Sequence, residues 1–280
     1  MSNLEIALNH MSIMTIKINS FKELQSKVST THAKYVIQKN KIIDPNNVIW
    51  WRGQAKATDD LQPSIYRNKK HGREARLFHE FRMNAKIRHN TCPDETDYKS
   101  WLFLMQHYGL PTRLLDWSES LLIALFFVCN KKEHEKKSGA LWGLKPIKLN
   151  EYQTKQQIIF REDMLEVKKL VKDATTDKHN DKHNDKHDDK HDDKKSRYIL
   201  AVYPFHFDMR HYVQLARFTI HGQKKPLDQI DDAEKFLLKF VISPKAKKEI
   251  KNVLKFLKIT EDFIYPDLEH LSSHLSASET

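Results

Sequence analysis

YKSWLFLMQHYGLPTRLLDWSESLLIALFFVCN, residues 98–130, contains two apolar helices and the joint between them. Gly109 closes the first helix, and Pro111 forbids its continuation. The second helix is apolar nearly all round, which marks it as central. The joint, LPTRLLDW, reads as a compact turn that presents Gln106, His107, Thr112, Arg113, Asp116 and Trp117 together. Polar groups between two buried helices need partners, either each other or a ligand. Two readings follow: Arg113 pairs with Asp116 while Asp116 caps the next helix, or the same turn lines a pocket.

Upstream, VIWWRGQ at 48–54 reads as a strand that carries a guanidinium, Arg52, to its end beside Gly53. Ser20 and Glu23 make a capping box for a helix over about 21–38, with Phe21, Leu24, Val28 and Tyr35 on its apolar face. From Gly72 to Asn90, Leu77, Phe78, Phe81 and Ala85 recur at helical spacing, while Arg73, Arg76, Arg82, Lys86 and Arg88 give a basic outer face. Downstream, GALWGLKPIKL, RYILAVYPF, ARFTIHG and LLKFVIS read as strands. A last helix starts at Ser243 and Pro244, with Ile250, Val253, Leu254 and Leu257 on one face. Helices early and strands late predict an α+β fold, a helical N-terminal part packed on a mostly antiparallel sheet.

The 280 residues can bury a full core, and five Trp, nine Tyr and fourteen Phe exceed what a disordered chain carries. Cys92 and Cys129 are the only cysteines, which excludes a disulfide framework or a four-cysteine zinc site and suggests a reducing, cytoplasmic setting. The longest apolar run, LLIALFFVC, is too short to span a bilayer, so no membrane role is expected. No Gly-Lys-Thr phosphate loop or Gly-x-Ser-x-Gly elbow is present, which argues against an ATPase or a serine hydrolase. The net charge of +11 favours a phosphate-bearing partner. That excess lies outside the segment Asp177–Lys195, where seven Asp oppose six Lys.

This segment repeats a four-residue unit, DKHN or DKHD, and spaces His179, His183, His187 and His191 by four. On a helix that spacing could chelate a divalent metal, but Asp and Asn disfavour helix interiors and no apolar face would dock it. A solvated insertion between two strands is the expectation, with no metal assigned.

Four stretches together resemble the FRG domain family: WRG at 51–53, QHYGLPTRLLDWSESLLIALFF, QLARFTIHG at 214–222, and VISPKAKKEIKNVL with YPDLEHL. Ala216 departs from the glycine usual in the third stretch. The resemblance implies an FRG domain over 45–275 after an N-terminal helical segment at 1–44, with the low-complexity insertion at 173–196. It also implies a toxin or phage-defence setting, and a sheet core like that of ADP-ribosyltransferases.

From that likeness follow NAD as substrate and nucleic acid as acceptor, with single-stranded RNA the first expectation; an antitoxin or inhibitor protein is a further expected partner. Arg52 would clamp the NAD phosphates in a bidentate fork, with Gly53 permitting close approach. His107, Tyr108 or Trp117 would meet the nicotinamide and Thr112 would donate a hydrogen bond, with Arg113 and Gln214 also placed at the NAD site. The catalytic carboxylate is sought among Asp116, Asp267 and Glu269. Glu133 and Glu135 sit among lysines and are set aside. Two other classes stay open: a non-catalytic nucleic-acid-binding module, and a partner-binding module of a defence or toxin-antitoxin system.

Overall fold

A computed structural model of the chain describes residues 13–36, 48–67, 73–88, 92–175, 197–204 and 209–278. The histidine-rich repeat lies outside the described residues, as do the ends of the helices expected over 21–38 and 72–90. Eight strands form one sheet in the order β1-β8-β4-β2-β3-β7-β6-β5. They are β1 (Thr15–Ile18), β2 (Trp50–Gln54), β3 (Leu114–Ser118), β4 (Gly139–Leu144), β5 (Phe160–Arg161), β6 (Ile199–Tyr203), β7 (Ala216–His221) and β8 (Leu237–Ile242). The inner pairs are antiparallel, and the two edge pairs, β1 with β8 and β5 with β6, are parallel. The fold is thus mixed helix and sheet, mostly antiparallel. Strands and helices interleave along the chain, where the sequence pattern suggested helices first and strands later.

Helix α1 (Phe21–Val36) opens on the expected capping box: Ser20 Oγ accepts from Glu23 N, and Glu23 Oε2 accepts from Asn19 N at 2.8 Å. The N-terminal part also supplies β1, a short edge strand that the sequence reading missed. Helix α2 (Ser64–Arg67) is a single turn, and α3 (Glu74–Ala85) buries Phe78 and Ala85 as its spacing predicts. Helix α4 (Tyr98–His107) is capped by Asp97, which accepts from Ser100 N. It ends at Gly109 with φ +76°, where Gly109 N donates to Gln106 O and Leu110 N to Met105 O, each at 3.0 Å. That pair of bonds is the Schellman closure, and glycine is suited to its left-handed position.

The joint after Pro111 is not a turn. Leu114–Ser118 forms β3 in the middle of the sheet, paired along its whole length with β7. The turn signal lay in Gly109 and Pro111 alone. Leu114, Leu115, Trp117 and Ser118 are buried on both faces of the sheet, so the strand lacks the polar alternation that would reveal it. A second correction concerns GALWGLKPIKL, whose strand stops at Leu144. Pro146 then starts α6 (Pro146–Thr154), because its fixed φ suits the first helical position.

One face of the sheet carries two helical groups. Helix α5 (Leu121–Cys129) and the helix Pro244–Phe256 cover β8, β4 and β2, packing on Trp51, Leu141, Leu238 and Phe240. Helices α4 and α7 (Leu165–Thr175) cover β7 and β6 through Phe103, Leu170, Phe218 and Ile220. On the opposite face, Trp50, Trp117, Trp142 and Phe236 pack with α6. Ser243 caps the helix Pro244–Phe256, as read from sequence, and Ile250 and Leu254 are buried; Leu257 instead lies past its end and is exposed.

Candidate functional site

The two helical groups part above the junction of β2 and β3. These strands pair only at Trp51 and Ser118, although β2 pairs with β4, and β3 with β7, over five residues each. Beyond that bridge a cleft of about 200 Å³ opens. Its walls are Trp51, Arg52 and Gly53 from β2, Asp116, Trp117 and Ser118 from β3, and Gln106 and His107 from the end of α4. Ile123, Ala124 and Phe127 of α5 close one side, and Arg210 and His211 of the short helix Met209–Val213 close the other, together with Gln214.

Arg52 fills the gap left by the missing strand pairing. Its Nη1 donates to the main-chain oxygen of Asp116 at 2.6 Å and lies 3.7 Å from Asp116 Oδ2. Burial, partly offset by Asp116, lowers its pKa from 12.5 to about 10, so the guanidinium remains charged at neutral pH. Gln106 Nε2 donates to both carboxylate oxygens of Asp116, at 3.0 and 2.9 Å. Gln106 Oε1 in turn accepts from Thr112 Oγ1 at 2.5 Å, which fixes the orientation of the amide. A chain of contacts therefore runs Thr112–Gln106–Asp116–Arg52. It leaves Asp116 half exposed at the cleft mouth, with its carboxylate aimed by two neighbours.

Behind the sheet, Thr219 Oγ1 accepts from Trp117 Nε1 at 3.2 Å and pairs with His221 Nε2 at 3.0 Å. His221 is fully buried, and burial, followed by the charges of Arg52 and Arg113, pushes its pKa down from 6.5 to about 3. Within the cleft, the His107 and His211 rings lie 5.6 Å apart, and His211 is 5.6 Å from Phe218.

Of the residues expected at the site, Arg52, Gly53, His107, Asp116, Trp117 and Gln214 line the cleft. The others do not. Tyr108 is exposed and points toward Phe81. Thr112 is fully buried and acts on the cleft only through Gln106. Arg113 pairs not with Asp116 but with Glu74, its Nε donating to Oε2 at 2.8 Å, because the strand sends the two side chains of 113 and 116 to different surroundings. Ser120, not Asp116, caps α5. Asp267 and Glu269 lie on the C-terminal segment outside the cleft; Asp267 is held by His270 at 2.7 Å, and Glu269 is exposed. Glu133 and Glu135 are exposed.

Gly53 has a different neighbour from the one expected. A Cβ there would run into the main-chain oxygen of Ala124 and lie 2.8 Å from Val128 N, so the close approach it permits is that of α5.

The sequence reading missed Arg210 and His211. They stand in a five-residue helix without apolar periodicity, and only the folded chain brings them to the cleft.

Residues 47–137 match the family model of the FRG domain. The chain carries an FRG domain. The matched FRG segment runs from before β2 to beyond α5 and contains Arg52, Gln106, His107 and Asp116. Arg210, His211 and Gln214 lie outside the FRG match, on elements that complete the same sheet and the far wall of the cleft. No curated protein and no solved structure matches the chain. No helix among the described residues is long and apolar enough to cross a membrane, and no group of three or more His, Cys, Asp or Glu among them could hold a metal ion.

Proposed function

We propose that the FRG domain of this chain binds NAD in the cleft and is an NAD-dependent ADP-ribosyltransferase of ADP-ribosyltransferase-like fold. The observation that carries this reading is the placement of Arg52 and Asp116 side by side in one aromatic-walled cleft. The chemistry needs a cation for the pyrophosphate, an anion for the positive ribosyl centre that forms as the nicotinamide–ribose bond breaks, and flat walls for the nicotinamide. Arg52 supplies the first and Asp116 the second. His107 and His211 supply the walls. Nicotinamide leaves as a neutral ring, and a nucleophile of the acceptor bonds to the ribose carbon and releases its proton. Sites that enclose a whole organic ligand span about 300–1,000 Å³, so this smaller cleft takes the reacting half of NAD while the adenylate lies across its mouth.

Nucleic acid, RNA first, is the acceptor in this proposal, as a toxin or phage-defence effector held in check by an inhibitor protein. Support for a phosphate-rich acceptor comes from the helix Pro244–Phe256, which packs on α5. Lys245, Lys248, Lys255 and the following Lys258 are exposed, and among the described residues they make no ion pair; Phe256 is 84% exposed beside them. The basic face of α3 is weaker support, since Arg76 pairs with Glu80, Lys86 with Glu95, and Arg82 stacks on Phe78, Tyr98 and Trp101.

The deciding test incubates the protein with NAD labelled in its adenylate and with separate RNA, DNA and protein pools. The expected result is label transferred to RNA by the wild type and lost by a factor of about 100 or more in Asp116→Asn. No NAD consumption, or full activity in Asp116→Asn, overturns the proposal. Nucleic-acid binding without NAD consumption would instead favour a non-catalytic module using the same lysine face.

A further inference from the structure

We infer that the cleft is a two-arginine diphosphate site, in which Arg210 is the second phosphate ligand and the C-terminal segment around Tyr265 holds it in place. The choice of a dinucleotide as natural ligand rests on the proposed function; the diphosphate site itself rests on geometry.

Arg52 and Arg210 line the same cleft, and Asp116 is the one carboxylate among its lining residues. The last two residues of α4 set both guanidinium groups. Gln106 aims the carboxylate that Arg52 meets, and the main-chain oxygen of His107 accepts from Arg210 Nη1 at 3.1 Å. That carbonyl belongs to the last turn of a helix, where a cation is favoured. The Arg210 guanidinium also lies over the Tyr265 ring, its Cζ 4.7 Å from the ring centroid. Its Nε and Nη2 have no acceptor among the described residues. A planar cation stacked on one side keeps its remaining donors in a fixed fork, which suits a phosphate.

Tyr265 is itself braced. Its ring stacks on His270 at 4.6 Å, His270 Nδ1 pairs with Asp267 Oδ1 at 2.7 Å, and Gln214 of the cleft donates to the main-chain oxygen of Ile264 at 3.1 Å. This gives YPDLEH a task different from supplying a catalytic carboxylate. Tyr265 is a positioning residue for Arg210, and Asp267 and His270 support it.

The test titrates the intact protein with inorganic pyrophosphate and, separately, with orthophosphate, following the fluorescence of Trp51 and Trp117. Pyrophosphate is expected to bind at least about tenfold more tightly than orthophosphate, and both Arg210→Ala and the charge-conserving Arg210→Lys to remove most of that preference. Tyr265→Ala is expected to reduce the preference severalfold, and Tyr265→Phe, which keeps the ring under Arg210, to restore it. Arg210→Lys protein that folds and retains the full pyrophosphate preference overturns the inference, as does a wild type with no preference. Pyrophosphate held through Arg210 without NAD cleavage would sink the proposed function and leave this site standing. NAD cleavage with an Arg210-independent pyrophosphate affinity would do the reverse.

Discussion

Arg52 Nη1 donates to the main-chain oxygen of Asp116 at 2.6 Å, across the point where β2 and β3 stop pairing. One side chain thus closes a gap in the sheet and faces the cleft. Arg52→Ala is expected to lower stability by about 1–3 kcal/mol, because a carbonyl and a carboxylate lose their charged partner. For a chain of this size that corresponds to about 2–4 °C of melting temperature per kcal/mol. NAD turnover, measured well below the melting point, should be abolished, and Arg52→Lys should recover more of the stability than of the turnover. Wild-type melting in Arg52→Ala would mean that the gap needs no plug.

Two glycines separate steric need from conformational need. Gly53→Ala forces a methyl group into the backbone of α5 and is expected to destabilise by about 3 kcal/mol or more. Gly109→Ala meets open space but must keep φ near +76°, at a cost of about 1–2 kcal/mol. Urea unfolding of both variants checks the order, and a milder Gly53→Ala would show that α5 can retreat.

Acid should loosen the sheet through His221. Its folded pKa of about 3 lies below the unfolded value of 6.5, so between these values the unfolded chain binds the extra proton. Stability from this ring is complete above pH 6.5 and falls by about 1.4 kcal/mol per pH unit as the pH drops toward 3. His221→Asn is expected to flatten the dependence between pH 6.5 and pH 4, read from urea midpoints. Parallel curves for wild type and variant would exclude His221 as the sensor.

Thr112 never reaches the cleft, yet it fixes Gln106 and thereby Asp116. Thr112→Val should reduce ADP-ribose transfer by about tenfold, the scale of one misplaced hydrogen bond to a charge. Melting should change by only a few degrees. Unchanged transfer would mean that Asp116 keeps its aim without the amide.

The two basic helices should respond differently to substitution. Lys248→Ala and Lys255→Ala are each expected to weaken RNA binding and to lower the salt slope by about one. Arg82→Ala should leave RNA binding intact but destabilise α3 by about 1 kcal/mol, since its guanidinium covers three rings. Equal loss of RNA affinity in all three variants would refute this assignment.

What the sequence made legible was local. Gly109 ends α4 and Ser243 caps the helix Pro244–Phe256 as read, because caps are written in adjacent residues. Arg52, Asp116, His107 and Trp117 reach one cleft because β2, the end of α4 and β3 converge there. The rest depended on distant partners. Asp116, three residues away, looked like the mate of Arg113, but the mate is Glu74, 39 residues upstream. β3 stayed hidden because burial on both faces erases a strand's alternation, and Arg210 because Tyr265 and His107, which give it meaning, are far along the chain.

The single bridge between Trp51 and Ser118 also bears on how the protein breathes. In most sheets the middle strands are the last to release their amide hydrogens to solvent. Here β1-β8-β4-β2 and β3-β7-β6-β5 form two four-stranded leaves, each better bonded internally than to the other. The amides of β2 and β3 that point across the seam are therefore expected to exchange before those one strand further out. Deuterium uptake should enter this sheet from its spine, and a ligand that ties Arg52 to the opposite wall should slow that entry first.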